Sequence, residues 1–97
     1  MDRDSTLELL RSHLPEMRKR FDAQELWIFG SIARDEARET SDIDVMVVFS
    51  EPATLDRFMG LKFYLEDLLE RSVDLTTRKA LHPRLRPHIE REAVRVA

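Results

Sequence analysis

Apolar positions recur along this chain with two different spacings, which predict helices and strands in turn. Near the N-terminus they return every three or four residues, as on one face of an amphipathic helix with Ser5 or Thr6 as its cap. The members of this first set are Leu7, Leu10, Leu14, Met17 and Phe21. Pro15 falls within the set, and because proline lacks a backbone donor we predict a kink or a division into two short helices.

Three short apolar runs predict strands: "ELWIF", which ends at Gly30, then "IDVMVVF" and "SVDLTT". Trp27 in the first run is expected in the core. Alternation along a strand places every second side chain on the same face. In the second run it therefore puts Asp42 and Asp44 on the face opposite Ile43, and in the third it separates Asp74 from its apolar neighbours.

Helical patterns lie between and after these strands. They cover "IARDEARE", the segment from Thr54 to about Arg71, and "HIEREA", and a final strand "VRVA" closes the chain. The order α, β, α, β, α, β, α, β predicts an α/β (α+β) fold, in which helices cover a small mixed β-sheet. With no internal repeat and no linker, residues 1–97 are expected to form a single domain.

Composition narrows the class of protein. The 97 residues contain no cysteine, which excludes disulfides and thiolate metal sites. No segment approaches the roughly 18 apolar residues of a membrane span, so we expect a soluble cytoplasmic protein without a membrane partner. Residues 1–75 carry 10 basic and 17 acidic side chains, whereas residues 76–97 carry six and two. The overall acidity argues against a nucleic-acid partner, and the basic end is either a solvated face or an anion or partner surface.

The aspartates of the second and third strands are the strongest chemical signal. Side chains two positions apart on a strand lie about 7 Å from each other on one face, so Asp42 and Asp44 can share a pair of divalent ions. Asp74 adds a third carboxylate, and a hard cation would relieve their mutual repulsion. Oxygen-only ligands favour Mg²⁺ or Mn²⁺ over zinc. Considered one at a time, Asp42 could instead be a turn or cap residue, Asp44 a buried but paired acid, and Asp74 an acid at a strand edge.

Gly30 and Ser31 supply a second, weaker signal. Glycine at a strand-to-helix turn lets the backbone approach a phosphate closely, and the helix start that follows offers free N–H groups. Arg34, three residues after Ser31, could reach the same phosphate, although an exposed helix beside Glu36 explains it equally well.

"GS", ten intervening residues and "DID" together resemble the signature of the nucleotidyltransferase superfamily that includes DNA polymerase β. The later "VDLTT" and "ALHPRLRPHIEREAVRVA" extend the resemblance to its minimal members, the MNT antitoxins encoded beside HEPN-domain toxins. This resemblance implies the polymerase β-like fold and two metal ions on Asp42 and Asp44. It also implies that Asp74 binds the metal that activates the nucleophile and that Gly30 and Ser31 hold the triphosphate.

The activity implied by the resemblance is that of an enzyme, a protein adenylyltransferase (AMPylase). It would transfer AMP from its substrate ATP to a tyrosine of a cognate HEPN ribonuclease toxin, with Mg²⁺ as cofactor, and so neutralise the toxin. Asp35 departs from the pattern, since many relatives have glycine there, and its charge is expected near the phosphates. Two alternatives stay open: an antitoxin that covers the toxin without catalysis, and a transferase that acts alone on a small molecule or an RNA end.

Overall fold

The computed structural model describes residues 2–96, in which helices and strands alternate in the predicted order. The first half contains α1 (Arg3–Phe21), β1 (Ala23–Phe29), α2 (Gly30–Ala33) and β2 (Ile43–Phe49). The second half contains α3 (Leu55–Leu69), β3 (Val73–Thr77), α4 (Arg86–Glu92) and β4 (Val94–Arg95). The predicted final strand is therefore present, although its last residue, Ala97, lies outside the described residues.

The four strands described form one sheet in the order β3-β2-β1-β4. Strand β1 runs antiparallel to both β2 and β4, whereas β2 and β3 are parallel. Helix α3 provides the long connection that a parallel pair requires. The sheet is thus mixed, and the predicted fold class is confirmed.

The hydrophobic core fills the space between one face of this sheet and the helices α1 and α3. Each strand supplies alternate side chains to that face, and the two helices add their apolar stripes. The fully buried contributions include Leu26, Ile28, Ile43, Val45, Val47, Leu10, Met17, Leu61 and Leu65. Within residues 2–96 no helix combines the length and apolarity needed to cross a membrane.

The opposite face of the sheet carries the polar members of the same alternation, including Asp44 and Asp74. Trp27 also lies there, so its predicted place in the core is wrong. Its ring is only partly buried and lies between two guanidinium groups, with the Cζ atoms of Arg78 and Arg95 at 5.8 Å and 5.5 Å from the ring centroid. The strand alternation overrides the general tendency of tryptophan toward the interior.

The helix boundaries correct three predictions from sequence. Helix α1 is one continuous element across Pro15, so the predicted division into two short helices is wrong, whereas the alternative of a kink stays a prediction. The Pro15 ring is exposed, while Leu14 and Met17 beside it are buried. Its cap is Asp2, whose carboxylate accepts a hydrogen bond from the Ser5 N–H at 2.7 Å, and not Ser5 or Thr6.

Helix α2 is much shorter than the pattern "IARDEARE" suggests. It ends at Ala33, and Asp35 then adopts a left-handed backbone with φ of 60°. Left-handed geometry cannot continue an α-helix of L-residues, so the helix-forming composition of the following residues has no effect here.

Asp22 joins the end of α1 to the turn after β2. It has a left-handed backbone with φ of 60°, and its carboxylate accepts hydrogen bonds from the Ser50 hydroxyl at 2.6 Å and from Gln24 Nε2 at 2.8 Å. The hydrogen bond from Ser50 is the largest cause that lowers the pKa of Asp22. A lowered carboxylate pKa adds stability at neutral pH that is lost as the pH falls through that pKa.

We therefore expect Asp22→Asn to lower the melting temperature at pH 7, and this loss to shrink steadily toward pH 3. Asparagine retains the tolerance for left-handed backbone, so the change isolates the carboxylate. Thermal unfolding across that pH range measures the effect, with Asp67→Asn, an exposed carboxylate of α3, as the matched control. An equal loss at both pH values would contradict this role of the Asp22 charge.

Candidate functional site

Two of the three predicted aspartates lie side by side at one end of the sheet. Asp44 in β2 is directly opposite Asp74 in the parallel strand β3, at the same register position. Adjacent strands lie about 4.8 Å apart, so both carboxylates start from neighbouring backbone positions on the face away from the core. Asp42 stands one residue before β2 begins at Ile43 and is exposed.

The charges of Asp42 and Asp74 act on the carboxyl of Asp44. The pKa of Asp44 is raised to about 6, first by burial of its half-buried carboxyl and then by the negative charges of Asp74 and Asp42. Arg34 acts in the opposite direction but does not outweigh these effects. A proton or a cation near Asp44 is therefore favoured, as expected for a cluster of like charges.

Gly30 brings the backbone into direct proximity with this cluster. It has a left-handed φ of 67°, and a Cβ atom built on it would overlap Asp44 Oδ2 and lie 3.1 Å from Asp44 Cγ. Glycine is thus required twice, by backbone geometry and by the approach of the carboxylate. Ser31 follows as the second residue of α2 and is partly buried.

The Gly30 N–H and the Arg34 guanidinium converge on a residue that the sequence did not indicate. The Gly30 N–H donates to Glu92 Oε1 at 3.1 Å, and Arg34 Nη1 donates to both carboxylate oxygens of Glu92 at 3.1 Å. Arg34 Nε also donates to Glu36 Oε2 at 3.2 Å. These two carboxylates, Glu36 first, raise the pKa of Arg34.

Asp35 adopts a left-handed backbone with a φ of 60°, a conformation that aspartate tolerates better than most residues. The expected proximity of its charge to the phosphates stays a prediction. The Asp35 carboxylate accepts a hydrogen bond from the Arg3 N–H at 2.9 Å, at the first turn of α1. The Asp35 charge is therefore engaged by the start of a helix, where a negative charge is favourable.

The donor chemistry of this site fits a hard divalent cation. Among residues 2–96, no three His, Cys, Asp or Glu side chains converge closely enough to form a metal cage by themselves. Asp44, Asp74 and Asp42 are nevertheless close enough to act on the pKa of Asp44, and all their donor atoms are oxygens. Mg²⁺ is usually held in this way, by one or two carboxylates together with phosphate oxygens of a substrate. Mn²⁺ accepts the same donors.

The structure thus brings together Gly30, Arg34, Asp44 and Asp74 at one end of the sheet. Ser31 directly follows Gly30, and Asp42 lies two residues before Asp44. The individual roles assigned to these residues from sequence stay predictions. Glu92 was missed because it follows Gly30 by 62 residues and lies in a short helix whose charged composition indicates only a solvated surface.

Comparison with known proteins places this geometry in context. Residues 10–96 match the family described as Nucleotidyltransferase domain. The protein adenylyltransferase MntA of Thermococcus cleftensis is 41% identical over 88 residues, which span 91% of this chain and 89% of that protein. A Methanocaldococcus jannaschii protein, provisionally named a protein adenylyltransferase, is also 41% identical over 88 residues and 90% of each chain.

Solved structures show the same fold. A chain provisionally described as a minimal nucleotidyltransferase superposes with a TM-score of 0.81 at 41% identity, over 97% of this chain and 95% of that one. A toxin–antitoxin complex with AMP-PNP gives 0.71 at 21% identity over 100% and 73% of the two chains. A complex of a tri-AMPylated Shewanella oneidensis HEPN toxin with an MNT antitoxin gives 0.68 at 18% over 94% and 71%. At such low identities the two complexes show a shared fold alone.

The raised pKa of Asp44 makes a prediction about stability. The folded protein binds a proton on this residue more tightly than the unfolded chain does, so its contribution to stability falls as the pH rises from about 4 to about 6. We therefore expect Asp44→Asn to raise the melting temperature in metal-free buffer at pH 8, with a smaller gain at pH 5. Glu8→Gln, an exposed carboxylate of α1, is the control. A destabilised Asp44→Asn at pH 8 would contradict the cost of an ionised Asp44 in this partly buried cluster.

Gly30→Ala tests the close approach of backbone and carboxylate. The left-handed φ alone is expected to reduce the free energy of unfolding by about 1–2 kcal/mol, and the overlap with Asp44 adds to this. The same substitution in an Asp44→Ala background should reduce it less, because the overlapping atoms are gone. Urea unfolding of the four proteins measures the coupling. Equal effects of Gly30→Ala in both backgrounds would show that Asp44 does not restrict position 30.

Proposed function

Because this chain belongs to the nucleotidyltransferase domain family, we propose that it is a protein adenylyltransferase, an antitoxin that transfers AMP from ATP to a tyrosine of a cognate HEPN toxin. Membership of the family makes it a transferase enzyme. The choice of a protein as acceptor is supported by the relative from Thermococcus cleftensis, which is named a protein adenylyltransferase and is 41% identical. The choice of a HEPN toxin is supported by the complexes of similar fold.

The observation that carries this proposal is the meeting of two opposite kinds of group at one end of the sheet. Asp44 and Asp74 form an anionic pair at one register position. Next to them, the Gly30 N–H and the Arg34 guanidinium converge on a single carboxylate and so define a position where an anion is bound. A nucleoside triphosphate with its metal ions has the complementary pattern of charge.

The proposed reaction is an in-line displacement at the α-phosphorus of ATP. The phenolic oxygen of the toxin tyrosine forms a bond to this phosphorus while the bond to the bridging oxygen breaks, and pyrophosphate leaves with that oxygen. The phenolic proton is released to solvent. Divalent ions held by Asp42, Asp44 and Asp74 would supply charge neutralisation for the acceptor and the leaving group.

Residues of this chain contribute mainly by placing the phosphates. The backbone at Gly30 and Ser31 together with Arg34 would hold the β- and γ-phosphates, since a guanidinium and backbone N–H groups are strong phosphate donors. Asp74 is exposed in β3, the edge strand of the sheet, so an acceptor side chain on a partner can approach it from solvent. The acceptor would therefore arrive with the surface of the partner protein.

We expect the cognate toxin to gain the mass of one or more AMP groups when it is mixed with this protein, ATP and Mg²⁺. Intact-mass spectrometry measures the gain. The double variant Asp42→Asn with Asp44→Asn should abolish it by removing the shared metal ligands, and so should chelation with EDTA. Glu8→Gln, which lies on the helix packed against the opposite face of the sheet, should retain it.

Two outcomes of this experiment separate catalysis from its alternatives. An unchanged toxin mass, with both proteins folded and bound to each other, would contradict AMP transfer and favour neutralisation by covering the toxin. In that case the double Asn variant should still neutralise the toxin fully. Transfer of AMP to a small molecule or an RNA end without any protein partner would contradict the choice of a protein acceptor.

A further inference from the structure

Glu92 holds the donors that the proposed reaction requires for phosphate. Its carboxylate accepts from the Gly30 N–H at 3.1 Å and from Arg34 Nη1 through both oxygens at 3.1 Å. The Glu92 side chain is only 23% exposed, and its bond from the Gly30 N–H is partly buried, whereas the Arg34 guanidinium remains accessible to solvent. No comparable internal anion contacts the backbone elsewhere between Phe29 and Arg34 among the hydrogen bonds of the described residues.

A carboxylate and a phosphate group make the same kind of contact with these donors. Each presents two oxygens to a guanidinium fork and accepts charge-assisted hydrogen bonds of similar length. The Gly30 N–H is a single donor and cannot serve both anions fully. A phosphate brought beside an ionised Glu92 would also meet like-charge repulsion, which is strong at short range.

We propose that Glu92 is an internal substitute for phosphate, and that the nucleotide must displace it before the triphosphate can bind to Gly30 and Arg34. This inference rests on the proposed function, since it concerns the nucleotide of that same site. Glu92 thereby sets the affinity for nucleotide, and its release couples nucleotide binding to movement of α4.

Helix α4 is suited to such a movement because no side chain of it is anchored in the core. None of its residues, Arg86–Glu92, is buried. Besides the bonds of Glu92, its polar side-chain attachments within the described residues are a hydrogen bond from Arg86 Nη2 to the Arg78 carbonyl oxygen at 2.6 Å and two long ion pairs. Glu90 lies 4.0 Å from both Arg78 Nε and Arg86 Nε, at the limit of an ion pair. Among the described contacts, the bonds of Glu92 are those that join α4 to Gly30 at the start of α2 and to Arg34 just after its end.

A different role for Glu92 makes the opposite prediction. If Glu92 braced Gly30 and Arg34 in the geometry that nucleotide needs, its removal would weaken nucleotide binding. If it competes with phosphate, its removal strengthens binding. The sign of the change therefore separates a competitor from a positioning residue.

The experiment is isothermal titration of the full chain with AMP-PNP and Mg²⁺, in wild type, Glu92→Gln and Glu36→Gln. We expect Glu92→Gln to lower the Kd by about tenfold, since the charge-assisted bond that nucleotide must displace is weakened. Glu36→Gln is the matched control, because Glu36 also pairs with Arg34 but makes no contact with Gly30. It should change the Kd by less than about threefold. An unchanged or higher Kd for Glu92→Gln, or a fall as large in Glu36→Gln, would overturn the proposal.

Trp27 provides a second readout that reports on α4 itself. It is the single tryptophan of the chain, and it lines a cavity of about 320 Å³ together with Met46, Arg78, Glu90 and Ala93. Displacement of α4 by AMP-PNP should change its fluorescence in wild type, and free Glu92→Gln should already be shifted toward the nucleotide-bound spectrum. Tighter binding without any such shift would overturn the coupling to α4.

These measurements use no toxin, so they are distinct from the test of AMP transfer. A lower Kd in Glu92→Gln together with an unmodified toxin would uphold the competition and remove the proposed acceptor. A modified toxin together with an unchanged Kd in Glu92→Gln would uphold the proposed acceptor and refute the competition by Glu92. If neither protein bound AMP-PNP, competition at this position would be refuted directly.

Discussion

The repulsion among Asp42, Asp44 and Asp74 is the constraint to which the rest of the site responds. The strand register places Asp44 and Asp74 opposite each other, and the partial burial of Asp44, together with the charges of Asp74 and Asp42, raises its pKa to about 6. Such an arrangement opposes folding in the absence of a counter-ion, so packing elsewhere must compensate for it. The compensation lies across the sheet, where the alternate residues of the same strands form the dry core with α1 and α3.

The strands were predictable from sequence because their signal is local. Alternation in "IDVMVVF" determines which side chains share a face, and the two faces observed follow from it. The same rule places Trp27 on the face away from the core. The expectation that it is buried failed because it relied on the residue type and not on the position of Trp27 in the alternation along β1. Helix α2 was predicted too long because composition does not reveal a left-handed residue, here Asp35, that ends it.

The functional residues also fall into two groups, those that local sequence spacing reveals and those that only the tertiary fold brings together. Gly30 and the aspartates of "DID" were accessible to sequence reasoning, since their chemistry follows from spacing within about 15 residues. The opposition of Asp44 to Asp74 depends on strand order, and the position of Glu92 depends on how a distant helix returns to β1. Neither is encoded in a local pattern. The basic C-terminal segment was left open as a solvated or a binding surface, and two of its arginines, Arg78 and Arg95, flank the Trp27 ring.

Two features of this site point to one ligand. The aspartates repel one another, and the cradle of Gly30 and Arg34 already binds an anion, a glutamate of the same chain. Free ATP would add negative charge beside Asp44 and would therefore be opposed by the cluster that it must approach. A metal–nucleotide complex supplies the cation to the carboxylates and the phosphates to the cradle at the same time. Because a metal ion would relieve the repulsion at the carboxylates and so favour phosphates beside them, metal and nucleotide should bind this site with positive coupling.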